Sequence, residues 1–249
     1  MPADRGWLHT VRRERQVTDL QMARSTYLKL AIRTMIRAGT PEEINPTTGE
    51  WLFVDVGFSS RGRSCGILGS DNLATAVTFS EAAAQIKAAG SVLGEPLNLL
   101  IEALLSVAFN SSGNPVGRSF ERLGSQHRYW YEGLGCVVMT SALYLLRGLN
   151  DSQPQREVRL FEGFVTFKPR DIPSSHRADV EALRAVVFDG TQVGSRVIAP
   201  SEFPITATDL VVSAFAVAGL DFGVPPVVAA MANLGLRPAA AGEIMSRRG

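Results

Sequence analysis

Apolar residues recur in two different rhythms along this chain. Over residues 17–38, Leu20, Ala23, Tyr27, Leu30, Ala31 and Met35 fall at steps of three and four, which predicts a helix with arginines on its other faces. Gly39 and Pro41 stop that pattern, and Asn45-Pro46-Thr47-Thr48-Gly49 has the residues of a turn, so a boundary is expected near 39–49. From residue 51 the rhythm changes. Trp51-Leu52-Phe53-Val54-Asp55-Val56-Gly57-Phe58 is a short apolar run of the kind that forms a central strand. A return strand over Ser64–Leu68 and a third strand over Ala74–Phe79 follow. Ser80 is the expected cap of an Ala-rich helix over Glu81–Ala89.

The run Leu97–Leu105 is almost continuously apolar, as expected of a strand covered on both faces. A loop rich in Asn, Ser and Gly occupies 110–125, and a helix is expected over Leu134–Leu146. A long strand is predicted at Arg156–Phe167, helices at Ser175–Phe188 and Thr208–Leu220, and a brief strand at Arg196–Ala199. A meander of strands leading into alternating helices and strands predicts an α/β domain with a mixed sheet of five strands and helices on both faces. This is the ribonuclease H-like layout. The expected organisation is a helical arm over 1–45 and one such domain over 46–249.

Charge modifies this picture at the N-terminus only. The chain of 249 residues has a net charge of +1, but residues 1–38 hold eight Lys/Arg against three acids (+5) and the remainder is −4. A basic arm on a mildly acidic body suits docking to nucleic acid or to an acidic protein partner, and it argues against a broad basic face gripping long duplex. Cys65 and Cys136 lie in no CxxC or Cys/His cluster, which predicts a reducing, cytoplasmic setting rather than a disulfide framework. No apolar stretch has the length of a membrane span or the character of a signal-peptide core, so no membrane association is expected.

The candidate chemistry is a set of acids in apolar surroundings. Asp55 sits in the first strand, Glu102 interrupts the most apolar run, and Glu162 stands in Leu160-Phe161-Glu162-Gly163-Phe164. Burying a carboxylate is costly unless it is paired or ligates a metal. Asp209, in the first turn expected for the helix at Thr208–Leu220, is a fourth candidate, although a cap there would explain it equally. His127 and His176 lie in no metal-type spacing and read as surface or capping histidines. Gln126-His127-Arg128-Tyr129-Trp130-Tyr131 mixes bases with aromatics that suit stacking on nucleobases or anchoring a loop. Arg61 and Arg63 flank the expected site, and Arg118 and Arg128 are further candidates for nucleic-acid contacts.

Asp55-Val56-Gly57-Phe58-Ser59-Ser60, Ile101-Glu102-Ala103-Leu104-Leu105-Ser106, Phe161-Glu162-Gly163-Phe164 and Asp209-Leu210-Val211-Val212-Ser213-Ala214-Phe215 resemble the successive motifs of the DUF429-type predicted nucleases. Those belong to the ribonuclease H-like superfamily, alongside Holliday-junction resolvases. The resemblance spans roughly residues 50–228. It implies catalytic acids on the first, fourth and fifth strands and on the last helix, here Asp55, Glu102, Glu162 and Asp209. It further implies Mg²⁺ or Mn²⁺ held by Asp55, Glu102 and Asp209 for phosphodiester hydrolysis, with two ions about 3.5–4 Å apart. A catalytically inactive subunit that binds a protein or nucleic acid is the alternative. An actin-like or sugar-kinase-like ATP binder would need a second copy of the fold, for which this length leaves no room.

Overall fold

The computed structural model describes residues 35–57, 62–123, 126–127, 134–166, 175–189 and 196–231. The strands are β1 (Ile36–Ala38), β2 (Glu50–Val56), β3 (Cys65–Leu68), β4 (Thr75–Val77), β5 (Leu97–Glu102), β6 (Ser106–Phe109), β7 (Pro115–Val116), β8 (Arg122–Leu123), β9 (Gln126–His127), β10 (Val158–Thr166), β11 (Arg196–Ile198), β12 (Leu210–Ser213) and β13 (Val227–Met231). The helices are α1 (Phe79–Ser91), α2 (Leu134–Asp151) and α3 (His176–Asp189). Most of the predicted helix over 17–38 lies outside the described residues; its last three form β1 instead.

The main sheet has eight strands rather than five, in the order β11-β13-β10-β5-β2-β3-β4, with β1 also paired to β10. β2, β5, β10 and β13 run parallel, while β3 is antiparallel to both β2 and β4. Parallel strands need long crossovers, and the helices supply them. β1 and β13 lie end to end on one edge of β10: β1 pairs with Val158–Leu160 and β13 with Glu162–Thr166. A separate sheet, β12-β6-β7, grows from the chain that follows β5.

The alternation of side chains assigns each strand position to a layer. Leu52, Val54, Val56, Leu97, Leu99, Ile101, Val158 and Leu160 face α1 and α2, which contribute Ala82, Ile86, Leu145 and Leu149 to one core. Trp51, Phe53, Leu100, Phe161 and Val165 face α3, where Val180, Leu183 and Val187 cover them. Near-continuous burial of β2 and β5 explains why their sequences read as unbroken apolar runs.

The region predicted as a helix over Thr208–Leu220 is instead a turn, the strand β12 and a short 3₁₀ segment, Ala216–Ala218. Val211 and Val212 take extended backbone there because β6 offers a partner, Val211 opposite Ala108 and Val212 opposite Val107. Among the described residues no helix is long and apolar enough to cross a membrane.

Helix α1 starts two residues earlier than its sequence indicates. Thr78 is the N-cap: its hydroxyl accepts the Glu81 N–H at 3.2 Å while Glu81 accepts the Thr78 N–H at 2.8 Å, a reciprocal capping box. Thr78→Ala is therefore expected to cost about 1 kcal/mol in urea unfolding, whereas Ser80→Ala, inside the helix, should change stability little.

Candidate metal centre

Asp55 and Glu102 occupy the carboxyl ends of β2 and β5. The two strands are parallel and in register, and Asp55 is the direct partner of Glu102. Both positions have the parity of Phe53 and Leu100, so both belong to the face covered by α3. Both are buried, at 4% and 9% exposure. The Glu102 carboxylate accepts the Val165 N–H from β10 at 3.3 Å.

The first turn of α3 completes the group. His176 Nδ1 lies 2.6 Å from Asp55 Oδ2, and Asp179 is buried one helical turn further on. Residues three apart on a helix point the same way. Ligand atoms of Asp55, His176 and Asp179 all lie within 4.8 Å of one another, a group that can hold a metal ion. A carboxylate only accepts, so in this contact His176 Nδ1–H is the donor to Asp55.

Two glycines permit this approach. A side chain at Gly57 would strike the His176 ring and the Ser64 carbonyl oxygen, and one at Gly66 would strike the His176 carbonyl. The β2–β3 hairpin thus presents bare backbone where the start of α3 leans on it. Beneath the site, burial and the Asp55 charge push the Cys65 thiol up, so it stays protonated and is a poor ligand.

Two expected site residues lie elsewhere. Glu162 pairs in register with Ile101, not Glu102, and so projects from the opposite face of the sheet. There its carboxylate meets Arg118, with Nη2 to Oε1 at 2.7 Å and Nη1 to Oε2 at 2.9 Å. Arg118 also binds Glu121 at 2.8 Å and lies over the Phe120 ring. It is 1% exposed, which removes it as a nucleic-acid contact. Arg159, three residues before Glu162 in β10, pairs instead with Glu43 and Glu157.

Asp209 is not on a helix. It sits in an exposed turn before β12, where Oδ2 accepts the Ile205 and Thr206 N–H groups at 2.9 Å and Oδ1 the Thr206 hydroxyl at 2.7 Å. Those bonds, the Thr206 hydroxyl first, hold its pKa below the usual carboxylate range. Its carboxylate shapes a turn. Arg63 is exposed beside β3; Arg61 and Arg128 lie outside the described residues, as do the side chains of residues 126–131.

Sequence reading takes His176 for a surface or capping histidine and does not single out Asp179. The signal was their i, i+3 spacing at the start of a helix that the sequence does predict. No protein-family model, curated protein or solved structure matches this chain.

The Glu162–Arg118–Glu121 cluster sets two carboxylates against one guanidinium. Burial, opposed by Arg118, leaves the Glu162 pKa raised. A raised folded-state pKa favours the protonated acid, so the contribution of Glu162 to stability is fully present at low pH. It is lost as pH rises through that pKa. Glu162→Gln should therefore be at least as stable as wild type at pH 8, with its relative advantage shrinking towards pH 4. Arg118→Met should lose about 3–5 kcal/mol by leaving both acids without a cation. Urea unfolding across pH checks both.

Proposed function

We propose that the chain is a metal-dependent nuclease with a ribonuclease H-like fold, hydrolysing phosphodiester bonds of nucleic acid. The strand order supports the fold assignment. Counted from β2, the strands β4-β3-β2-β5-β10 stand in the order 3-2-1-4-5, with only the second reversed. α1, α2 and α3 follow the third, fourth and fifth of these.

The functional reading rests on one observation: Asp55 and Glu102 sit side by side at the carboxyl ends of β2 and β5, under the helix turn that brings His176 and Asp179. The chain builds the sheet outward in opposite directions from these two strands. Crevices at such a switch point are where open α/β sheets bind ligands. The grouped donors are the Asp55 and Asp179 carboxylates and the His176 imidazole, with Glu102 beside Asp55, and the carboxylates suit Mg²⁺ or Mn²⁺. Divalent ions held there would supply Lewis acidity, favouring hydroxide from water and offsetting charge on the leaving oxygen.

The residues divide the remaining work. Asp55, touching His176 and neighbouring Glu102, would hold the ions together with Glu102 and Asp179. His176, bonded to Asp55 through Nδ1, would orient that carboxylate towards the ions. Arg63, exposed beside β3, is the candidate to meet a substrate phosphate.

Incubating the full chain with Mg²⁺ or Mn²⁺ and single- and double-stranded DNA and RNA should give cleavage that EDTA abolishes. Asp55→Asn should lower the rate by about 10²–10³-fold, while Asp209→Asn should retain wild-type activity. Cleavage of none of these substrates, or full activity in Asp55→Asn, would remove the nuclease reading.

A further inference from the structure

The turn that carries Glu102 is fixed from the opposite side of the sheet. At Glu102 the chain leaves β5 abruptly: the Ala103 N–H donates back to the Ile101 carbonyl at 2.9 Å. A residue at such a strand end has lost the ladder on its far side, and its direction depends on what holds the following residues. Hydrogen bonds to the next turn come from a buried polar cluster and from the second sheet. Glu162 Oε2 accepts the Leu105 N–H at 3.0 Å, and Arg118 Nη1 donates to Ser106 Oγ at 2.8 Å and to Glu162 Oε2 at 2.9 Å. The Leu105 carbonyl accepts from Ala214 at 2.9 Å. Glu162, Arg118, Glu121 and Ser106 are all at most 1% exposed.

An ion pair so deeply buried is a poor source of stability, since an apolar replacement of the same volume is often as good or better. What it does supply is a fixed arrangement of donors and acceptors, with a defined direction for the backbone it binds. The same strand touches Glu102 from its other face. Gly163 lies so close that a side chain there would meet the Glu102 Cα, and Val165 N–H reaches the Glu102 carboxylate. Glu162 and the two residues that meet Glu102 therefore stand within four consecutive positions of β10.

We propose that Glu162, locked by Arg118, is a positioning residue for the metal centre: by gripping the Leu105 N–H it fixes the turn after β5 and so aims Glu102. This rests on the reading of Asp55, Glu102, His176 and Asp179 as a metal site. Glu162 touches neither metal nor substrate. It acts through the backbone of residues 103–106.

Mn²⁺ affinity of the full chain, measured by calorimetry or by electron paramagnetic resonance, tests this independently of cleavage. Glu162→Leu leaves Arg118 paired with Glu121 but removes the acceptor for Leu105, and should weaken Mn²⁺ binding about tenfold. Glu162→Gln keeps an acceptor oxygen and should return affinity to within about twofold of wild type, a rescue that loss of general stability would not give. Ser106→Ala loosens the same turn more gently and should weaken binding by at least about twofold, even if Glu162→Leu does not fold. Wild-type affinity in Glu162→Leu or in Ser106→Ala, or Glu162→Gln as weak as Glu162→Leu, overturns the proposal. Glu102→Gln separates the two readings. If it binds Mn²⁺ poorly while Glu162→Leu binds normally, only the positioning role falls; if wild type binds no Mn²⁺, the metal site falls and takes the positioning role with it.

Discussion

The in-register parallel pairing of β2 with β5 is the constraint on which the rest of the structure depends. Parallel neighbours cannot be joined by a tight turn, so the chain must leave β2, return through β3 and β4, and cross over on α1 before it enters β5. That route leaves both strands covered on both faces, which their unbroken apolar sequences permit. It also brings their carboxyl ends together. Two acids near the carboxyl ends of two such strands become neighbours without any further device.

Alternation within a strand then decides which charges meet. Asp55 and Glu102 share a face; Glu162, paired with Ile101, takes the other. The sheet thereby separates two kinds of buried carboxylate. On the α3 side Asp55 gathers with His176 and Asp179 into a group that can hold a metal ion, and Glu102 stands beside Asp55 in the sheet. On the far side Glu162 is matched to Arg118 and serves the backbone. The helix adds its own selectivity, because Gly57 and Gly66 let its first turn settle on the hairpin at a distance that any side chain would prevent.

Much of this was legible in the amino-acid sequence. The strands β2, β3, β5 and β10 and the helices α1, α2 and α3 stand close to where periodicity predicts them, as they carry strong apolar patterns over enough residues to show a period. Asp55 and Glu102 stand out because each interrupts such a pattern. Three things escaped. β1, β12 and β13 are short, and their extended form comes from partners distant in sequence. Glu162 looks like Glu102 to any local reading, since the face it takes depends on register and its partner Arg118 lies 44 positions away. Asp179 sits in an ordinary amphipathic helix, where an acid facing solvent and one turned inward have the same local sequence; the choice of Asp209 followed from a helix that the pairing with β6 replaces.

One edge of β10 is spliced from two strands, β1 beside its first half and β13 beside its second, with the Ala38 N–H meeting the Phe222 carbonyl near the joint. A ribosome delivers β1 before β10 and β13 after it. Until the later one emerges, the half of β10 that follows Leu160, and with it the strand carrying Glu162, Gly163 and Val165, has hydrogen-bonding groups facing water on that flank. This edge of the sheet is therefore complete only when β13 is in place, the last of the sheet's described strands in chain order.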